Sequence, residues 1–185
     1  MKKVLVNPES TSILINADKC FQVDLKTVSG NEILVNATID GEYRKDLVVL
    51  IEEEGTNVLI SADFQPNFVN PNDKLSAHKV LSISLEIVLP EYVDAHLFGT
   101  NTNVLATGHY RKLKIDLSDG TCTLENVSEK VSVKTQSGTI FLKAASGTVD
   151  AKSQYGQVLG KSIVSGDNYF DLHSIEGDIH IMNTE

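Results

Sequence analysis

The chain has 185 residues, a formal net charge of −9 and an isoelectric point of about 5.0. That acidity argues against a nucleic-acid partner, because phosphate backbones require a basic surface. Only 6% of the residues are aromatic and none is tryptophan, so the core must consist mainly of Val, Ile and Leu. Those residues favour strands, and the composition therefore points to an all-β protein.

The first half of the chain reads as a series of strands separated by turn residues. No segment has a convincing helical pattern, and the longest purely apolar run, Leu47 to Ile51, is too short to span a bilayer. The segment from Pro66 to Asp73 is the clearest loop, with two prolines and three asparagines. The predicted strands are Ser12–Asn16, Phe21–Val28, Glu32–Ile39, Asp46–Glu53, Asn57–Ala62 and Val80–Leu89.

Two features bear on the compartment. Asn7-Pro8-Glu9 interrupts the apolar stretch that a signal peptide would need after Lys2-Lys3. The chain is therefore expected to be cytoplasmic if it is full length, and at the cell surface or in the periplasm if a signal peptide has been removed. Cys20 and Cys122 show neither metal nor redox spacing, and we expect both to be buried free thiols.

The second half is repetitive. Gly120, Gly138 and Gly156 are each 18 residues apart, and Gly177 follows after 21. On this register, apolar residues fall into columns that should point inward. The columns are Cys122, Ile140, Val158 and Ile179; Leu124, Leu142, Gly160 and Ile181; Leu113, Val131, Val149 and Phe170; and Ile115, Val133, Ala151 and Leu172.

Two alternating strands per 18-residue unit suit one coil of a β-solenoid, with each coil bonded to the next at about 4.8 Å. Glycine at each corner suits a tight bend or a close approach of backbones. The extra residues of the last unit are interpreted as a corner bulge at Asp167-Asn168. The alternative is an antiparallel sandwich with evenly spaced hairpins. We expect residues 1–78 to form a less regular β region that packs on or extends the solenoid of residues 79–185.

The corners read Ser137-Gly138-Thr139-Ile140, Ser146-Gly147-Thr148-Val149 and Tyr155-Gly156-Gln157-Val158, and a strand ending in Leu89-Pro90 precedes them. This pattern resembles the bacterial putative-adhesin family often called DUF4097, over roughly residues 30 to 183. The resemblance implies a right-handed, β-helix-like stack. It brings no catalytic residues with it.

The same register predicts which side chains point outward. Ser132, Asp150 and Asp171 form one outer column, and Lys134, Lys152 and His173 form the next. Paired carboxylates on such a face occur in polysaccharide-cleaving β-helices, so a carbohydrate-active enzyme using Asp150 and Asp171 is one hypothesis. The corners are too short to wall a cleft, and a solvated face with alternating charges explains the same residues.

A second outer column contains Thr123, Phe141, Leu159 and His180, and it is unusually apolar. Either the first half of the chain, or the segment from Phe64 to Phe68, covers it, or it contacts a second protomer or a ligand. Phe141, Leu159, His180, Asp150 and Asp171 are therefore the predicted interaction surface.

The main functional prediction is a non-catalytic binding or scaffold module of the putative-adhesin type, with no cofactor, no metal site and an unidentified protein or glycan partner. A bactofilin-like polymer is the alternative, because open edge strands can stack end to end. The last strand, Asp178 to Met182, is expected to be such an edge. Its acidic groups should repel an identical edge, which predicts a monomer or closed dimer.

Overall fold

The computed structural model describes residues 2–41, 47–65 and 81–184, and this part of the chain is all-β. None of these residues forms a helix that could cross a membrane. The strands are β1 (Lys2–Leu5), β2 (Ser12–Asn16), β3 (Gln22–Val28), β4 (Glu32–Gly41), β5 (Leu47–Glu54), β6 (Asn57–Phe64), β7 (Leu81–Pro90), β8 (Asp94–Asn101), β9 (Asn103–Asp119), β10 (Thr121–Thr135), β11 (Thr139–Ala144), β12 (Ser146–Ser153), β13 (Val158–Gly160), β14 (Val164–Ser174) and β15 (Ile179–Asn183).

The six strands predicted in the first half agree with β2 to β7 to within two residues, and the sequence analysis missed β1. The loop predicted from Pro66 to Asp73 lies outside the described residues, as do Asp46 and Val80.

The strands form two rows, called face A and face B. Face A has the order β1, β4, β7, β3, first half of β9, first half of β10, β11, β15, β13. Face B has the order β5, β6, β2, β8, second half of β9, second half of β10, β14, β12. Most neighbours are parallel, and the antiparallel pairs, β1–β4, β4–β7 and β5–β6, lie at one end.

The long strands β9 and β10 pass from face A to face B without a break. Each bends midway at residues with positive φ, which are Gly108 in β9 and Asn126 and Glu129 in β10. The ladder between the two strands shifts register at the same points. These bends form one edge of the stack, and we call them the corner.

Alternate residues of both faces point inward and form a single hydrophobic core. The predicted columns have the correct register, since Cys122 pairs with Ile140 and Val133 with Leu172. In the middle of the stack these side chains are fully buried, as in Leu142 and Phe170. The core is therefore built by the period-two alternation that the repeat indicated.

The order of the last coils differs from the sequence-based expectation. β15 lies between β11 and β13, and β14 lies between β10 and β12. After β11 the chain skips one strand position on each face and forms the outer coil from β12 and β13. It then returns, and β14 and β15 occupy the two skipped positions. The expectation that the last strand is an open edge is wrong, because β15 has a strand on both sides. Within the described residues, the edge strands at this end are β12 and β13.

The glycines in the turns before β11, β15 and β13 follow the same order. A Cβ on Gly177 would lie 2.2 Å from the carbonyl oxygen of Gly138, and one on Gly156 would lie 2.5 Å from that of Gly177. The backbones therefore approach in the order 138, 177, 156, and each contact excludes a side chain. Glycine is required here by close approach, as the sequence suggested.

The N-terminal coil is interleaved in the same way. β2 lies between β6 and β8 on face B, and β3 lies between β7 and β9 on face A. Strands from both halves of the chain therefore share both faces. The boundary predicted at residues 78 and 79 lies outside the described residues.

Cys20 and Cys122 are free and buried, as the sequence predicted. Burial raises the pKa of each thiol to about 12, and Asp18 adds to the effect on Cys20. Because the thiolate is the reactive form, we expect neither cysteine to react with a thiol reagent at pH 8 in the folded protein. Both should react after unfolding in guanidinium chloride. A chromogenic disulfide reagent measures this, and rapid labelling of the native protein would contradict the buried placement.

Candidate functional site

The predicted apolar column of Phe141, Leu159 and His180 lies on the outer side of face A, but its residues are neighbours in a different order from the one predicted. Phe141 pairs with His180, and His180 pairs with Leu159, so the imidazole separates the two apolar side chains. The rings of Phe141 and His180 stack with centroids 4.7 Å apart and an interplanar angle of 14°. Leu159 is 39% exposed. The sequence placed Phe141 beside Leu159 because it assumed that the coils stack in chain order.

The first eight strands occupy positions within the two faces, and none of them lies over this column. Of the segment proposed as a cover, Phe64 lies at the end of β6, and its ring contacts the ammonium of Lys19 at 5.5 Å. Residues 66 to 68 lie outside the described residues. The column is thus a partly exposed surface of one aromatic ring, one imidazole and one aliphatic side chain.

Asp150 and Asp171 are directly paired on β12 and β14, as predicted. His173 Nε2 lies 2.7 Å from Asp171 Oδ1, and the Ser132 hydroxyl donates to Asp171 Oδ2 at 3.3 Å. Asp150, Asp171 and His173 each offer a ligand atom within 4.8 Å of the others, so this trio is the group in the described chain that could hold a metal ion.

The trio lies on the outer face, with Asp150 exposed and Asp171 and His173 half-buried. A depression of about 310 Å³ beside it is lined by Lys134, Lys152 and His173, and by neither aspartate. Substrate-cleaving carboxylates need a pocket that holds the sugar between them. The geometry of Asp150 and Asp171 is that of a charged outer face with cross-strand pairing.

The same outer face continues toward β8 and β9 with a second charged group. Asp116 Oδ2 lies 2.7 Å from His96 Nε2 and 2.8 Å from Lys114 Nζ. Burial alone would raise the pKa of Asp116, but hydrogen bonds from Lys114 and His96 outweigh it and hold the pKa below its ordinary value. These pairs therefore stabilise the fold at neutral pH, and the contribution is lost as the pH falls through the lowered pKa.

A cavity that the sequence analysis did not predict lies at the corner. It has a volume of about 490 Å³ and is lined by Asn7, Pro8, Glu9, Glu91, Tyr92, Arg111 and Glu129. We call it the corner cavity. Its residues come from the loop before β2, the turn after β7 and the bends of β9 and β10, so no local motif joins them. The only signal in the sequence was an isolated tyrosine in a turn.

No protein-family model matches the chain, and no curated protein matches it. Among solved structures, a putative cell adhesion protein from Clostridium sporogenes is similar, with a TM-score of 0.62 and 14% identity over 99% of this chain and 98% of that one. The two proteins share a fold.

Two further structures cover nearly the whole chain but superpose less well. A putative adhesin from Bacteroides fragilis covers 99% of this chain and 95% of its own, with 10% identity and a TM-score of 0.37. A putative adhesin from Parabacteroides distasonis covers 97% and 95%, with 11% identity and a TM-score of 0.35. The fold assignment rests on the clostridial protein alone.

Proposed function

We propose that this chain is a non-catalytic binding or scaffold module of the putative-adhesin type, built as a right-handed β-solenoid. The observation that carries the proposal is the fold shared with the clostridial putative cell adhesion protein over 99% of the chain. Stacked parallel strands on both faces suit a rigid rod that presents side chains on its outside. The partner is a glycan or a protein, since a net charge of −9 disfavours nucleic acid.

The proposal is tested by screening the purified chain on arrays of glycans and of extracellular proteins, with polynucleotides as the negative control. Specific, saturable binding to one glycan or protein class is the expected result. Retention on polynucleotides at moderate salt would contradict it.

A double substitution separates a binding module from an enzyme. Asp150→Asn with Asp171→Asn should leave any measured binding within about twofold of the wild type, because both carboxylates lie on an open charged face. The matched control is Asp24→Asn with Glu86→Gln, another acidic pair across neighbouring strands, on face A. A glycan-cleaving activity that only the first double variant abolishes would establish the enzyme hypothesis instead.

A self-assembling polymer is the second candidate, favoured by the end of the stack. Within the described residues, β12 and β13 each pair with one neighbour only. Against assembly, β13 has three residues, and β12 carries Asp150 and Lys152 on its outer side, features that blunt an edge. We therefore propose a monomer or closed dimer. Light scattering and negative-stain microscopy distinguish discrete particles from filaments.

A further inference from the structure

The corner cavity combines an exposed aromatic ring, a guanidinium and three carboxylates. We propose that it binds an oligosaccharide of amino sugars, with a pyranose ring stacked on Tyr92 and the carboxylates holding hydroxyl and ammonium groups. The proposal rests on the binding function proposed above and names the ligand class and its location.

Tyr92 supplies the stacking surface. The residue is 53% exposed, and its ring stacks on the imidazole of His109 with centroids 6.2 Å apart and an interplanar angle of 20°. His109 is held in turn, because its Nδ1 lies 2.5 Å from the hydroxyl oxygen of Ser128. A ring fixed in this way loses little freedom when the apolar face of a sugar packs against it.

Arg111 is anchored at the wall of the cavity. Its Nε donates to Asp94 at 2.9 Å, and its Nη1 donates to the backbone carbonyl of Glu9 at 3.1 Å. These bonds fix the plane of the guanidinium, and they leave Nη2 without a hydrogen-bond partner in the described part of the chain. The two N–H groups of Nη2, held in this fixed plane, can donate to neighbouring sugar oxygens.

The carboxylates provide the acceptors. Glu91 accepts a hydrogen bond from the Ser29 hydroxyl at 2.8 Å, whereas the side chains of Glu9 and Glu129 have no such partner among residues 2–41, 47–65 and 81–184. The charge of Arg111 is already matched by Asp94. The cavity is therefore net negative, which disfavours acidic sugars and favours sugars that carry an ammonium group.

The backbone supports a functional role for these positions. Tyr92 has φ of 59° and Glu129 has φ of 76°, left-handed values that are rare for residues with side chains. Hydrogen bonds hold both, from Tyr92 N to the carbonyl of His109 and from Glu129 N to Asn168 Oδ1, each 3.0 Å long. Glycine would adopt either conformation without strain, so the presence of tyrosine and glutamate at these positions favours a use for their side chains.

The test measures binding of a glucosamine tetramer by calorimetry at pH 6, where its amines are charged. Tyr92→Gly should weaken binding about tenfold or more, because it removes the stacking surface, while the melting temperature stays the same or rises. Glu129→Gln should weaken binding with unchanged melting temperature. Tyr155→Ala is the control, since Tyr155 is 75% exposed and lies outside the cavity, and it should bind like the wild type.

Three further probes define the chemistry. The N-acetylated tetramer should bind more weakly than the glucosamine tetramer, and a galacturonic acid tetramer should not bind. Tetralysine binding as tightly as the glucosamine tetramer would overturn the proposal, because charge alone would then explain the site.

Failure of this inference is distinguishable from failure of the proposed function. If the glucosamine tetramer does not bind, or binds equally well to Tyr92→Gly, the corner cavity is not the site. Array binding that persists in that variant would still support a binding module. Filaments without any array binding would instead contradict the proposed function itself.

Discussion

Leu142→Ala is expected to lower the free energy of unfolding by about 2–5 kcal/mol, since it removes a fully buried side chain and leaves a cavity. Leu142 pairs with Leu124 on one side and with Ile181 on the other, so three adjacent strands line the space it would vacate. Chemical denaturation monitored by circular dichroism measures the change. An unchanged m-value would show that the variant exposes as much surface on unfolding as the wild type does.

Leu159→Ala is the matched control, with the same substitution on the outer side of face A. Leu159 is 39% exposed, and its loss should change the free energy of unfolding by about 0.5 kcal/mol or less. If both variants were equally stable, Leu142 would have to face solvent. The pairing register would then be displaced by one residue, because such a slip turns every side chain to the opposite face.

Truncation after residue 163 should release the outer coil as well as the deleted strands. The cut removes β14 and β15 and with them three buried hydrophobic side chains, Phe170, Leu172 and Ile179, each contributing about 1.5–3 kcal/mol. β12 pairs with β14 and β13 with β15, so residues 146–160 would lose the strands that hold them. The sum is comparable with the whole stability of a domain.

Hydrogen exchange measures the outcome, and residues 146–160 should exchange as fast as an unfolded peptide in the truncated chain. Coils stacked in chain order would keep these residues paired with β10 and β11. Protection equal to that of the full-length chain would therefore contradict the interleaved order.

Cysteine pairs test the same order in a protein that stays intact. Ser132 pairs with Asp171, and Asp171 pairs with Asp150. Cysteines at 132 and 171 should form a disulfide under mild oxidation, because neighbouring strands are about 4.8 Å apart. Cysteines at 132 and 150 should not, since two strand spacings exceed the roughly 7 Å that a disulfide can span. The opposite result would mean that β12 lies next to β10.

The sequence by itself determined the all-β class, the positions of β2 to β7 and which side chains face inward. The reason is that side-chain direction alternates with period two, so Leu124, Leu142 and Ile181 could be aligned without knowing the fold. The glycines in the turns before β11, β13 and β15 were also predictable from the backbone geometry that a tight turn requires. A backbone that must approach another within contact distance tolerates no Cβ, and Gly177 keeps that need wherever its coil lies.

The order of the coils was decided only by the tertiary structure. The strand that contains Ile179 can pair equally well with the strand of Ile140 or with that of Val158, because both present similar apolar side chains to the core. Local pairing energies therefore do not distinguish the two orders. The longer spacing from Gly156 to Gly177 was interpreted as a corner bulge at Asp167-Asn168. That interpretation is confirmed, because Ser146 pairs with Val164 and Thr148 pairs with Tyr169, so three extra residues bulge within β14 opposite residue 147.

The corner cavity also depended on the tertiary structure. Tyr92, Arg111 and Glu129 belong to three different strands or turns, and no local sequence motif joins them. They meet because parallel coils place the bends of successive strands side by side along one edge. Periodicity reports which side of a strand a residue occupies. It cannot report which bends of the chain become neighbours, because that depends on the order in which the coils stack.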